Sequence, residues 1–302
     1  MRRIFYFLVT NIAVLAVLSV VWFILTSVFD IPEYYAGGLN LTYLLVLALV
    51  LGMGGSFISL ALSKWSAKRM SGAKVIEKPT TETEMWLVGT VERIAKQAGI
   101  GTPEVAIYEG PVNAFATGMK KDKALVAVST GLLDAMSRDE VEAVLGHEVA
   151  HIANGDMVTL TLIQGVLNTF VIFLSRIVGY FVDRVLLKNN RGMGIGYFAS
   201  VIVAQIIFGI LAAMVVAWFS RKREFRADAG SAQYTERDKM ISALQRLKEG
   251  THPKPLPDEM RAMGIVGGWR KGIGKLMMSH PPLDDRIAAL RNPTMGGRGQ
   301  RI

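Results

Sequence analysis

Four stretches of this chain contain no charged residue: Ile4–Phe29, Gly38–Ser63, Met157–Ser175 and Gly192–Ser220. A helix needs roughly 20 such residues to cross the hydrocarbon core of a bilayer. Long helices of water-soluble domains are rarely apolar all round, because one face must meet water. Mean hydropathy is +0.34 although 20% of residues are charged. Apolar and charged residues are therefore segregated into blocks, and a membrane protein is the class to expect.

The first run follows Arg2 and Arg3. It is much longer than the apolar region of a signal peptide, about 7–15 residues, and it lacks a small-residue cleavage site. We read it as an uncleaved span. The third and fourth runs form either two further spans or a buried hairpin. Arg176 falls about 28 Å along a helix entering at Met157, where it could snorkel to the far interface. Gln164, Asn168 and Gln205 read as hydrogen-bonding partners between helices.

Lys and Arg placement sets the orientation. Arg2 and Arg3 precede the first run, and the link Asp30–Ala36 has no Lys or Arg. Lys64, Lys68, Arg69, Lys74 and Lys78 follow the second run, and Arg221, Lys222, Arg223 and Arg226 follow the fourth. Arg184, Lys188 and Arg191 between the third and fourth are a smaller vote the other way. The balance puts both termini and the segment from Lys64 to Asp156 in the cytoplasm. A net charge of +9 is explained by these flanks. No interleaving of aromatic and basic residues suggests a nucleic-acid partner. There is no cysteine, so there are no disulfides, and a metal site must use His, Asp or Glu.

The polar segments carry their own signals. "TETE" from Thr81 and "SRDE" from Ser137 are capping boxes, each opening an amphipathic helix. These helices close near Gly99 and Gly155. "PEVAIYEG" and "KALVAVSTG" read as strands, with a further strand and turn in "GPVNAFATGMKKD" between them. "RKREFRADAGSAQY" continues the helix of the fourth run, and "TERDKMISALQRLKEG" and "HPPLDDRIAAL" are further helices. Residues 251–279 read as a loop, with His252 exposed in it. The organisation expected is two N-terminal spans over 1–63, a catalytic part over 64–156, two spans or a hairpin over 157–220, a second catalytic part over 221–291, and a disordered tail over 292–302.

The second helix of this set carries His147, Glu148 and His151 as H-E-x-x-H. Residues four apart share one helix face, so both imidazoles can bind one zinc at about 2.0–2.1 Å. Glu148, one position on, can take the proton from a water activated there. With four histidines in the chain, a chance match is rare. A catalytic zinc needs a third protein ligand and keeps one position open. "REFRAD" offers Glu224 and Asp228 on one helix face. Either could bind the metal while the other orients a ligand histidine. Two crossings between His147 and Glu224 would return the chain to the same side.

In order along the chain, "NAFATG", "GHEVAHIANGD", a helical hairpin, "REFRAD" and "SHPPLDDRI" resemble the HtpX-like membrane metalloproteases, relatives of the type I CAAX prenyl proteases. The resemblance covers nearly the whole chain. It implies a multi-pass α-helical membrane protein with a cytoplasmic zincin-like α+β metalloprotease domain. It further implies one zinc per chain held by His147, His151 and Glu224, with Glu148 as general base and Asp228 as partner of a ligand histidine. Asn113, Ala114, Phe115, Ala116, Thr117 and Gly118 become an edge strand on which substrate backbone is laid. His280 is placed near the site, as an oxyanion donor or as a structural contact at Pro281. Arg286 could pair with a carboxylate near the metal or serve as a structural salt bridge. The function implied is an endopeptidase of the bacterial inner membrane acting on misfolded or damaged membrane proteins, its partners being those polypeptides and the bilayer.

Two other readings compete. A membrane scaffold or chaperone with a structural zinc would have a closed four-ligand site and no use for Glu148. A transporter would need more ionisable groups within its spans.

Overall fold

A computed structural model of the chain describes residues 40–189, 192–250 and 280–292, together with Ala16, Val20, Phe23 and Ile24 as helical residues and the backbone of Tyr34–Tyr35 and Gly38–Leu39. Most of the first apolar run, the 251–279 segment with His252, and the 293–302 tail lie outside the described residues.

In chain order the elements are β1 (Tyr34–Tyr35), β2 (Gly38–Leu39), α1 (Leu41–Leu49), α2 (Gly55–Ser71), β3 (Lys74–Val75), α3 (Glu82–Ala98), β4 (Glu104–Tyr108), β5 (Ala114–Thr117), β6 (Leu125–Ser129), α4 (Thr130–Ala135), α5 (Arg138–Asn154), α6 (Asp156–Phe181), α7 (Ile195–Tyr234), α8 (Arg237–Gly250) and α9 (Leu283–Arg291). Single π-helical turns join α1 to α2 at Val50–Gly54 and follow α6 at Val182–Leu186. The chain divides into two compact units, Met1–Leu62 with Val158–Val216, and Ser63–Met157 with Ala217–Ile302.

Among the described residues the first unit is helical apart from the short antiparallel pair β1–β2. Three helices, Leu41–Ser71, Asp156–Leu186 and Ile195–Tyr234, contain windows long and apolar enough to cross a membrane. Phe170, Ile202, Ile206 and Ile207 are exposed on them, which water would not favour but lipid does. Within this unit small residues allow close approach. Gly165 faces Met53 and Ser56, and Gly179 faces Tyr197 and Val201. Polar residues behave differently from the sequence expectation. Gln164 donates to Asn168 one turn on in the same helix, at 3.0 Å. Arg176 is half-buried, and its Nη1 donates to the Ile172 carbonyl one turn back at 3.3 Å. Each makes a hydrogen bond within its own helix, which a low-dielectric surrounding rewards.

The second unit holds a four-stranded sheet of order β3-β4-β6-β5. β4 and β6 are parallel, while β3–β4 and β6–β5 are antiparallel. All five residues of β6 are buried, as a central strand covered on both faces should be. Val126 and Val128 enter the main core with Leu87, Val91 and Ile94 of α3 and Val141, Leu145 and Val149 of α5. Alternate residues Leu125 and Ala127 pack on the other face with Ala106 and Tyr108.

Both capping boxes form. Thr81 and Glu84 close the start of α3, and Ser137 and Glu140 that of α5. Glu140 also accepts from Ser242 Oγ at 2.8 Å, tying the start of α5 to α8. α5 ends at Gly155, which has φ +68°, a left-handed conformation that glycine adopts without a Cβ clash.

Candidate metal centre

The site is assembled where α5 crosses the C-terminal part of α7. The crossing is tight because neither helix has a side chain in the way at two points. A Cβ on Gly146 would lie 2.9 Å from Ser231 Oγ, and one on Gly230 would lie 2.7 Å from Ala150 Cβ. Ser231 Oγ donates to the Ala143 carbonyl at 2.6 Å across the same crossing. Next to Gly146 and Ala150 on α5 stand His147 and His151, and N-terminal to Gly230 on α7 stand Glu224 and Asp228.

His147 Nε2 and His151 Nε2 lie 3.1 Å apart. Glu224 Oε1 is 3.4 Å from His151 Nε2, and Oε2 is 3.5 Å from His147 Nε2. The three residues offer ligand atoms all within 4.8 Å of one another. Glu224 is 1% exposed, and neither of its oxygens receives an aligned hydrogen bond. A carboxylate buried this deeply needs positive charge close by. A cation among the two imidazole nitrogens and this carboxylate would supply that charge. The two-nitrogen, one-oxygen donor set suits zinc with a position left open.

The other ring nitrogens are held. His147 Nδ1 donates to Asp228 Oδ1 at 2.9 Å. Asp228 is gripped in turn by Arg286, from Nη2 at 2.5 Å and Nε at 2.7 Å. His151 Nδ1 donates to Asp156 Oδ2 at 2.7 Å, and Arg226 Nη2 donates to Asp156 Oδ1 at 3.3 Å. His280 Nδ1 lies 2.9 Å from Glu224 Oε2, with its side chain 63% exposed. Glu148 is half-buried and has no hydrogen-bond or ion-pair partner among the described residues, which leaves its carboxylate available.

The electrostatics follow. Burial pulls the His147 ring down, but the Asp228 and Glu224 carboxylates outweigh it and lift its pKa to about 9. His151 is also raised: burial opposes, and the bonds to Asp156 and Glu224 prevail. Burial would raise Glu224, yet the His147, His151 and His280 rings hold it well below the usual carboxylate range. Asp228 is lowered against its own burial by Arg286 and His147.

The sequence-predicted residues are thus brought together with one unforeseen member. Asp156 read only as the last charge before an apolar run, and nothing in its spacing marked it as a partner of His151. Arg286 was open between two roles and bonds directly to Asp228. Of the predicted strand residues Asn113–Gly118, Ala114–Thr117 form β5, and Asn113 and Gly118 flank it. It lies at one edge of the sheet, with Ala114 and Ala116 packed toward the core that includes α5. Ser129 N donates to the Asn113 carbonyl at 2.9 Å, and Asn113 stands opposite Ser129 one step before the Ala114–Val128 pair. By antiparallel alternation the backbone groups of Ala114 and Ala116 then point away from β6. No strand pairs with that edge among the described residues.

A histidine pair on one helix, met by a carboxylate from another in a chain with bilayer-length apolar helices, belongs to the class of membrane metallopeptidases. A protein-family model, Peptidase family M48, matches residues 81–294, and the chain belongs to this family. Protease HtpX of Alkalilimnicola ehrlichii is 61% identical over 294 residues, 96% of this chain and 98% of that one. Protease HtpX of Thioalkalivibrio sulfidiphilus is 60% identical over 292 residues, 96% and 99% of the two chains. A Protease HtpX homolog of Bordetella pertussis is 57% identical over 300 residues, 98% and 100% of the two chains. The crystal structure of S. mikatae Ste24p is similar in fold, with a TM-score of 0.63 at 16% identity. It aligns with 95% of this chain, which spans 65% of the Ste24p length. The protein is therefore a metal-dependent peptidase with membrane-spanning helices.

Proposed function

We propose that the protein is a zinc endopeptidase of the bacterial inner membrane. Its active site and both termini face the cytoplasm, and it removes misfolded or damaged membrane proteins. The observation that carries the metal assignment is the buried Glu224 carboxylate whose two oxygens face two imidazole Nε2 atoms at 3.4 and 3.5 Å.

In this reading His147, His151 and Glu224 would hold the ion, which would supply Lewis acidity at neutral pH. Glu148 would take the proton from the attacking water and pass it to the leaving amine. Asp228, fixed by Arg286, keeps His147 in the tautomer with Nε2 free. Substrate backbone adds to the outward edge of β5, over Asn113–Gly118, so that sequence preference is weak and extended chain is required. His280, exposed beside Glu224, donates to the oxygen of the carbonyl under attack.

The membrane substrate class rests on chain spacing. Asp156 directly precedes the third apolar run, and Glu224 follows the end of the fourth by four residues, about 6 Å of helix. Cleavage by the purified, zinc-loaded full-length chain of a misfolded membrane protein in detergent or liposomes tests the whole. Glu148→Gln should retain zinc and fold but lose roughly a hundredfold to ten-thousandfold in rate. An unchanged rate would refute the mechanism.

A further inference from the structure

The two histidines of the site are supported in parallel. His147 leans on Asp228, which is held by Arg286, and Asp228 was expected to partner one of the two ligand histidines. His151 has a support of its own from a residue with no assigned part in the site. Asp156 is wholly buried. It divides its two oxygens, Oδ2 accepting from His151 Nδ1 at 2.7 Å and Oδ1 from Arg226 Nη2 at 3.3 Å.

Local chain geometry makes this contact. α5 ends at Asn154, Gly155 turns the chain with φ +68°, and Asp156 begins the next helix. That single left-handed residue lets an acid five positions on fold back onto the ring of His151. The position also suits a negative charge, because the first residue of a helix sees the unpaired N–H groups of its first turn. Arg226 reaches the same carboxylate from α7, two residues beyond Glu224. A carboxylate so held favours the His151 tautomer with hydrogen on Nδ1 and a lone pair on Nε2, the atom facing His147 and Glu224.

We propose that Asp156 is a positioning residue of the metal centre, fixing His151 for metal binding, and that Arg226 fixes Asp156. The proposal rests on the reading of His147, His151 and Glu224 as ligands. On this basis the residue that opens the third apolar helix also orients a ligand. The Arg226 end of the chain is 49% exposed, whereas the matching Arg286 is buried.

The test uses the full-length protein in detergent and reads metal binding directly. Affinity for Zn2+ is measured by chelator competition, and site geometry by the visible absorption of bound Co2+. Asp156→Asn keeps an acceptor but loses the charge. It should weaken Zn2+ binding roughly tenfold to a hundredfold and shift the Co2+ bands. Arg226→Gln, at a half-exposed position, should weaken binding by a smaller factor, with Arg226→Lys restoring most of it. In the Asp156→Asn background Arg226→Gln should add nothing, because its effect runs through Asp156. If Asp156→Asn and Arg226→Gln both bind Zn2+ with wild-type affinity and an unchanged Co2+ spectrum, the proposal is overturned while the ligand assignment stands. If the wild-type chain takes up no metal, or Glu224→Ala binds it equally well, the ligand assignment fails and takes this proposal with it.

Discussion

His147 Nε2 and His151 Nε2 meet at 3.1 Å, a separation that requires a shared proton or a cation. Proton and metal therefore compete for one point. Since the carboxylates around His147 lift its pKa to about 9, metal uptake near neutral pH must release that proton. Zn2+ affinity should rise roughly tenfold per pH unit for each proton released and level off above about 9. Chelator competition between pH 6.5 and 9.5 measures the slope, and a flat profile would contradict the assignment. The sign for the metal-free protein is opposite. A histidine raised above its unfolded value of about 6.5 stabilises the fold below that pH, and the contribution is lost as pH climbs through about 9.

The outward edge of β5 makes a separable prediction. Proline at position 114 removes one outward N–H while leaving the hydrogen bonds to β6 in place. Ala114→Pro should lower kcat/KM for an unfolded polypeptide about fivefold, the worth of roughly 1 kcal/mol for one hydrogen bond. Zn2+ affinity should not change. Equal cleavage by both proteins would show that substrate does not add to this strand.

Gly230 tests how the ligands are brought together. The Cβ of Gly230→Ala would meet the Ala150 side chain at 2.7 Å, so α7 must move away from α5. Loss of stability by about 1–3 kcal/mol is expected, together with weaker Zn2+ binding, since Glu224 moves with the helix. Thermal unfolding in detergent and metal titration on the same sample measure both. Normal affinity in a destabilised protein would separate the crossing from the site.

The cysteine-free sequence allows the orientation to be read with single introduced thiols. Gly118→Cys would carry strain, because Gly118 has φ +131°. Exposed Met119 beside it is the better choice. Met119→Cys should be protected from an impermeant maleimide in intact cells and labelled once the membrane is broken. Labelling in intact cells would reverse the proposed topology.

Much of the local structure was legible because its causes are local. Thr81 with Glu84 and Ser137 with Glu140 satisfy orphan N–H groups within four residues, so each capping box named its own helix. The strands between Glu104 and Ser129 announced themselves by short apolar runs set between turn residues. The polar residues of the apolar helices were less legible. Gln164 and Asn168 sit one turn apart, and whether they bond each other or a neighbouring helix depends on which face is turned where.

Spacing alone placed His147 and His151 on one helix face, and the amphipathic turn in "REFRAD" placed Glu224 and Asp228 on another. Periodicity and charge segregation set both facts, and they hold wherever those helices lie. Which acid meets which ring was decided by tertiary structure. Gly146 and Gly230 let α5 and α7 approach until Glu224 faces both Nε2 atoms and Asp228 takes His147 Nδ1. The turn at Gly155 gave His151 a different acid, Asp156, that no pattern had joined to it. A side chain's partner depends on distance in space, and sequence separation reports that distance only within a turn or two of helix.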